Sequence, residues 1–200
     1  MGASCRSPRA RSDPPPSARR RYSARMLSYP LPHTARLRLR PVASADAAAM
    51  LRVYGDAAVM RYVADGKPRD AAAIAGWQRN IARSYRERGY GLAALCRASL
   101  AEPIGFAGLT HPGGQSEAEL KYALAPPYWG QGYASEAAAA LLDFGLRTVG
   151  LARIIATVDT VHTASVQVLD KIGMRRVEER VDAEGYAEFL YERRALAGSP

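Results

Sequence analysis

From Thr34 onward the apolar positions recur with clear periods. Leu37 and Leu39 alternate with Arg36, Arg38 and Arg40, which is the two-residue period of a strand. Ser44-Ala-Asp46 can cap a helix carrying Met50, Leu51 and Tyr54. Over 69–87, Ile74, Trp77, Ile81 and Tyr85 step by three and four residues, so this segment predicts a second helix, broken at Gly89-Tyr-Gly91. Residues 90–97 and 103–110 read as two strands around a short Ser99–Glu102 turn. After the His111–Gly114 turn, 117–125 predicts another strand. Alternation puts Leu120, Tyr122 and Leu124 on one face and Glu119, Lys121 and Ala123 on the other. Pro126-Pro127 must stop it, since proline donates no ladder hydrogen bond.

A helix over 133–148 follows, striped by Ala134, Ala137, Ala138, Leu141, Leu142 and Gly145 and ended at Gly150. Then come a β-branched strand (152–158), a short helix (163–172) closed by Gly173, and an antiparallel pair (174–181, 186–193) around Asp182–Gly185. The order β-α-α-β-β-β-α-β-α-β-β predicts an α/β domain: one mixed, mostly antiparallel sheet with helices on both faces.

Composition narrows the picture. Two hundred residues suit one domain with a sizeable core. No stretch approaches the roughly 18 apolar residues of a membrane span. Cys5 and Cys96 form no CxxC and no disulfide framework, so a reducing, cytoplasmic setting is expected. The net charge of +9 is uneven: residues 1–25 hold seven arginines against Asp13, so +6 lies there. Residues 1–33 are rich in Arg, Pro, Ser and Ala and lack periodicity. They read as a disordered basic arm, as an organelle-targeting segment, or as an over-long start preceding Met26. The folded domain is expected over 34–194, with a short tail over 195–200.

The transition at 124–134 carries candidate chemistry. A strand stops at two prolines, Gly130 and Gly132 permit unusual backbone angles, and a helix begins. The first amides of a helix lack intrahelical partners and carry partial positive charge, so a diphosphate suits them. Ser135 adds a hydroxyl. Gly-x-Gly before a helix is equally plain turn chemistry, and the spacing fits neither a Rossmann fingerprint nor a Walker motif.

The longer stretch Tyr122-Ala-Leu-Ala-Pro-Pro-Tyr-Trp-Gly-Gln-Gly-Tyr-Ala-Ser-Glu-Ala137 resembles the acyl-CoA-binding motif of GNAT N-acetyltransferases. Its wording is similar to that of the RimJ/RimL branch, the ribosomal-protein N-terminal acetyltransferases. Ala152–Asp159, Ala164-Ser165 and Leu169-Asp-Lys-Ile-Gly-Met174 extend the resemblance over about 34–194. It implies an N-acetyltransferase that moves acetyl from acetyl-CoA directly to a primary amine, either a protein N-terminal α-amine or a small molecule, with no metal. It further implies that two splayed central strands admit the pantetheine arm along the backbone of Tyr122, Ala123, Leu124 and Ala125. The pyrophosphate would then lie on Gln131, Gly132, Tyr133, Ala134 and Ser135, next to Trp129 and Gly130.

For the acid–base tasks, Glu119 is the candidate base, directly or through water, and Glu117 a weaker one. Ser165 is the candidate acid, because Leu169 stands where many members carry a tyrosine. A serine early in a helix also commonly bonds its own backbone. His162 replaces an asparagine that contacts pantetheine in relatives. The acceptor would lie between helices 44–87 and the last hairpin, near Trp77, Arg79, Tyr85 and Tyr186, although Trp77 and Tyr85 also sit on a core-facing stripe. The resemblance leaves monomer or homodimer open. Two other readings stand beside catalysis: a non-catalytic acyl-CoA sensor, and an RNA- or ribosome-associated protein using the basic tail.

Overall fold

In the computed structural model, residues 29–63, 65–181 and 185–195 are described. Most of the arginine-rich tail, the centre of the Asp182–Gly185 turn and residues 196–200 lie outside them. The strands are β1 (Leu37–Pro41), β2 (Leu92–Arg97), β3 (Pro103–Thr110), β4 (Ala118–Leu124), β5 (Arg153–Asp159), β6 (Arg175–Val181) and β7 (Ala187–Arg194). The helices are α1 (Ala47–Tyr54), α2 (Ala57–Met60), α3 (Ala71–Arg88), α4 (Tyr133–Asp143) and α5 (Thr163–Lys171). The expected element order holds except that a short α2, started by the Asp56 cap, stands between the two helices expected before β2.

The seven strands form one sheet in the order β1-β2-β3-β4-β5-β7-β6. Neighbours are antiparallel except β4 and β5, which run parallel. The sheet separates two apolar layers. Leu120, Leu124, Ile154, Ala156, Val158 and Tyr191 face α4 and α5, where Ala137, Ala138, Leu141 and Leu169 meet them. Leu92, Ala94, Phe106 and Ala123 face α1–α3, meeting Met50, Val53, Ile74 and Ile81. The alternation read along 117–125 is therefore the alternation between these layers.

Three local features differ from the sequence reading. Ser44–Asp46 forms a 3-10 turn, and the Asp46 carboxylate accepts from Ala43 N and from Arg40 rather than capping α1. The segment 133–148 is not one α-helix, because a π-helical turn occupies Phe144–Val149. Both Phe144 and Gly145 are buried in this wider turn. A Cβ on Gly145 would stand 2.6 Å from Ile154 Cδ1 and from Leu109 Cδ1, so a larger residue requires both methyls to move if the helix is to sit this close to the sheet. Finally, β7 inserts between β5 and β6. That places the last strand of the chain beside the centre of the sheet.

Candidate active site

The site is built where β4 and β5 part. They pair only at Ala118↔Ile154 and Glu119↔Ile155. Beyond that rung the strands splay, and a V opens toward the C-terminal end of β4. Glu119 sits at the apex, 3 % exposed. Its Oε1 accepts from Thr157 Oγ1 at 2.6 Å and from Thr157 N at 3.3 Å, and it pairs with Lys121 Nζ at 2.5 Å. Oε2 accepts from Gln115 Nε2 at 3.3 Å. The carboxylate thus supplies the acceptor that β4 no longer offers the Thr157 amide, so it pins the V as well as standing where a base was expected. Glu117 pairs instead with Arg153 at 3.3 Å, and the Ser116 hydroxyl holds it below the usual carboxylate range.

Antiparallel pairing with β3 divides the β4 backbone. Ala125 N donates to Ile104 O at 3.0 Å, so alternate residues 123 and 125 turn their polar groups toward β3. Those of Tyr122 and Leu124 point into the V. Ala123 and Ala125 therefore line the slot without offering it a free backbone group. Trp129 uses one of the remaining groups: its indole Nε1 donates to Leu124 O at 2.7 Å. The ring is half exposed, yet its one donor closes the last carbonyl of the strand. What stays open for a pantetheine arm is Tyr122 N–H, Tyr122 C=O and Leu124 N–H.

The cradle follows. Pro126–Tyr128 turns as a 3-10 segment, and Gly130 and Gly132 take φ of 70° and 77°. Added Cβ atoms would meet nothing within 4 Å at Gly130 and only Arg36 Nη2, at 3.5 Å, at Gly132. The left-handed backbone, not crowding by the protein, is what demands glycine here. Gly132 is the N-cap of α4 and no side chain caps it. The first intrahelical bond is Glu136 N to Gly132 O at 3.0 Å, which leaves the amides of Tyr133, Ala134 and Ser135 free for an anion. These residues fit a diphosphate.

Arg36, which the sequence reading took only as a polar strand position, braces the cradle. Its Nη1 donates to Gln131 O at 3.0 Å, its Nε and Nη2 both reach Glu136 Oε2 at 2.6 Å, and the guanidinium lies 4.5 Å above the Tyr133 ring. Thr34 Oγ1 donates to Glu136 Oε1. Against its partial burial, these bonds hold Glu136 below its ordinary value. The one carboxylate in the first turn of α4 is thereby neutralised beside a site for anions. Arg36, Gln131, Gly132, Ser135 and Lys171 line an open cleft of about 420 Å³.

Across the V, α5 brings Ser165 to β4. Ser165 Oγ lies 2.7 Å from the Tyr122 hydroxyl. Burial pushes the Tyr122 phenol up to about 12, with the Ser165 bond opposing. Leu169, which has no proton to donate, is buried in the core. His162 is the N-cap residue of α5, and burial lowers its pKa against the opposing charge of Asp159. Its ring stacks on Tyr62, with centroids 4.2 Å apart and planes at 14°. Tyr62 belongs to the segment after α2, so the stack ties that segment to the start of α5. Trp77 packs edge-on against Tyr54 at 4.9 Å, and Tyr85 lies against the same apolar layer, as core residues do. Arg79 and Tyr186 are exposed.

The slot between splayed strands thus ends at a glycine-capped helix, and comparison with known proteins gives the family. The profile described as "Acetyltransferase (GNAT) domain" matches residues 36–175, more than half of the chain. The chain belongs to the GNAT acetyltransferase family. Acetyl-CoA is its acyl donor and acetyl transfer its chemistry. Among curated relatives, the uncharacterized N-acetyltransferase YoaA of Bacillus subtilis is 30% identical over 151 residues, covering 74% of this chain and 84% of that protein. Among solved structures, a GNAT-family acetyltransferase from Bacillus anthracis superposes with a TM-score of 0.69 at 26% identity, covering 81% of this chain and 96% of that one. The ribosomal L7/L12 acetyltransferase RimL, solved with coenzyme A, shares the fold at a TM-score of 0.71 and 17% identity, covering 82% of this chain and 97% of that one.

Proposed function

We propose that this GNAT enzyme is of the RimJ/RimL type and acetylates the α-amine at a protein N-terminus, by direct transfer within the V. The observation that supports transfer within the V is the geometry of β4: two rungs shared with β5, then free Tyr122 and Leu124 groups leading straight to the Gly132 cradle. Acetyl-CoA supplies an activated acetyl group. Tyr122 and Leu124 would hold its pantetheine amides, and the amides of Tyr133–Ser135 its diphosphate, with Lys171 adding positive charge at the rim where Arg36 neutralises Glu136. Placing donor and acceptor together supplies much of the rate.

Two proton tasks remain. Glu119 takes the amine proton through a water at Oε2, while Thr157 and Lys121 hold Oε1 in place. The Ser165 hydroxyl serves the departing sulfur. The acceptor approaches over Lys121 and Thr157, between the α1–α3 layer and the β6–β7 hairpin. The branch-like wording of residues 122–137 supports a peptide acceptor.

The test is acetyl-CoA turnover, read as free thiol, with a panel of N-terminal peptides and small amines. Thiol release with peptides bearing a free α-amine, and none with Nα-blocked copies, is expected. Release with small amines alone would move the acceptor to another class. Saturable CoA binding with no release for any amine would contradict the proposal.

A further inference from the structure

We infer that Tyr122 is a positioning residue for Ser165: its phenol donates to Ser165 Oγ and so turns the serine's single proton into the gap between β4 and β5. This rests on the proposed role of Ser165 toward the leaving sulfur.

The contact is 2.7 Å, the usual length of an O–H···O bond. Either oxygen can donate, and acidity decides which does. A phenol is a much stronger acid than an aliphatic hydroxyl, so it is the better donor. Among the described residues its only other acceptor is Ser165 O, at 3.4 Å. Burial raises the phenol to about 12, which keeps its proton in place at any working pH. The neighbouring phenol, Tyr191, is turned away, donating to Asp170 Oδ1 at 3.0 Å. The Tyr122 ring packs against the core formed with α4 and α5, so its hydroxyl is held still. The Ser165 backbone is fixed as well, its N–H bonded to His162 O at 3.0 Å.

Without Tyr122, a serine in the first turn of a helix tends to direct its proton at a backbone carbonyl. With the phenol occupying a lone pair of Oγ, that proton is left for the slot. The amine nitrogen forms a bond to the acetyl carbonyl carbon, and as the C–S bond breaks, sulfur takes the electron pair and accepts a hydrogen bond from Ser165. The amine proton leaves through Glu119 to water, and the thiolate is protonated by solvent. Ser165 and Tyr122 end as they began.

Tyr122→Phe, Ser165→Ala and the double variant test this through kcat, the KM for acetyl-CoA and calorimetric CoA affinity. Phenylalanine keeps the ring packing and removes only the donor. Tyr122→Phe should lower kcat by about three- to tenfold, the worth of one ordinary hydrogen bond. KM and CoA affinity should stay within about twofold. In the Ser165→Ala background, Tyr122→Phe should change nothing further, because the two act as a unit. If Ser165→Ala is slow but Tyr122→Phe slows it again by the same factor, the positioning role is overturned while the role of Ser165 stands. If Ser165→Ala runs at full rate, the reading of Ser165 fails, and the positioning role with it. A change confined to KM would also overturn it.

Discussion

Gly132→Ala separates a cradle from a turn. Gly132 sits at φ 77° with ψ 2°, and an alanine Cβ there meets nothing closer than Arg36 Nη2 at 3.5 Å. The cost is therefore backbone strain alone, about 1–2 kcal/mol for an L-residue held in the left-handed region. A domain of this size loses about 2–4 °C of Tm per kcal/mol, so a fall of about 2–8 °C is expected. Gly130→Ala is the matched control. Its φ is 70° and its Cβ direction is empty, so its strain should be similar.

The two variants should part in binding. Gly132 directly caps α4, and relief of its strain swings the free amides of Tyr133–Ser135 off the helix axis. Each hydrogen bond from such an amide to a charged oxygen contributes about 1.5–3 kcal/mol, so losing even one costs roughly tenfold or more in affinity. Calorimetric titration with coenzyme A beside thermal melts reads both quantities. Gly132→Ala should bind at least tenfold more weakly, and Gly130→Ala should lose clearly less. Equal Tm losses with unchanged affinity in Gly132→Ala would refute the reasoning and leave Gly132 as a turn residue.

Two further outcomes concern stability. Gly145→Ala forces a methyl against Ile154 and Leu109 at the π-helical turn, and should cost about 1–3 kcal/mol in urea unfolding; an unchanged midpoint would mean that those methyls yield freely. Glu192 is buried on β7, where hydrogen bonds from Arg194, Arg175 and Arg153 outweigh its desolvation and lower it from 4.5 to about 2. A carboxylate depressed on folding stabilises fully above its ordinary value, and that stability is lost as pH falls through the folded one. Between pH 4.5 and 2, Tm should therefore fall more steeply in the parent than in Glu192→Gln, and parallel curves would count against this assignment.

Local periodicity made most elements legible. The strand at 117–125 was readable because its two faces meet different apolar layers, and its stop because two prolines cannot pair. The glycine-capped start of α4 was readable for the same local reason. What escaped is non-local or depends on a single atom. Glu136 lies 100 residues from Arg36, its partner, and no pattern in either segment announces the pair. Trp129 carries no signal of its role in the pattern of apolar and polar positions, yet its N–H is what closes Leu124 O. The insertion of β7 beside β5 is a long-range choice that hairpin-like spacing does not encode. Glu119 was legible as a carboxylate at the site. That it also pins the V depends on Thr157, which reaches it from another strand. Tyr122 was legible through its backbone, whereas its hydroxyl has meaning only beside Ser165.

Amide hydrogen exchange with and without acetyl-CoA tests the central claim most directly, because the claim names individual N–H groups. Acetyl-CoA should slow exchange at Tyr122 and Leu124 in the V and at Tyr133, Ala134 and Ser135 in the cradle. Ala125, whose amide already serves β3, should change little. Protection that appears elsewhere while these five amides exchange as before would contradict the account.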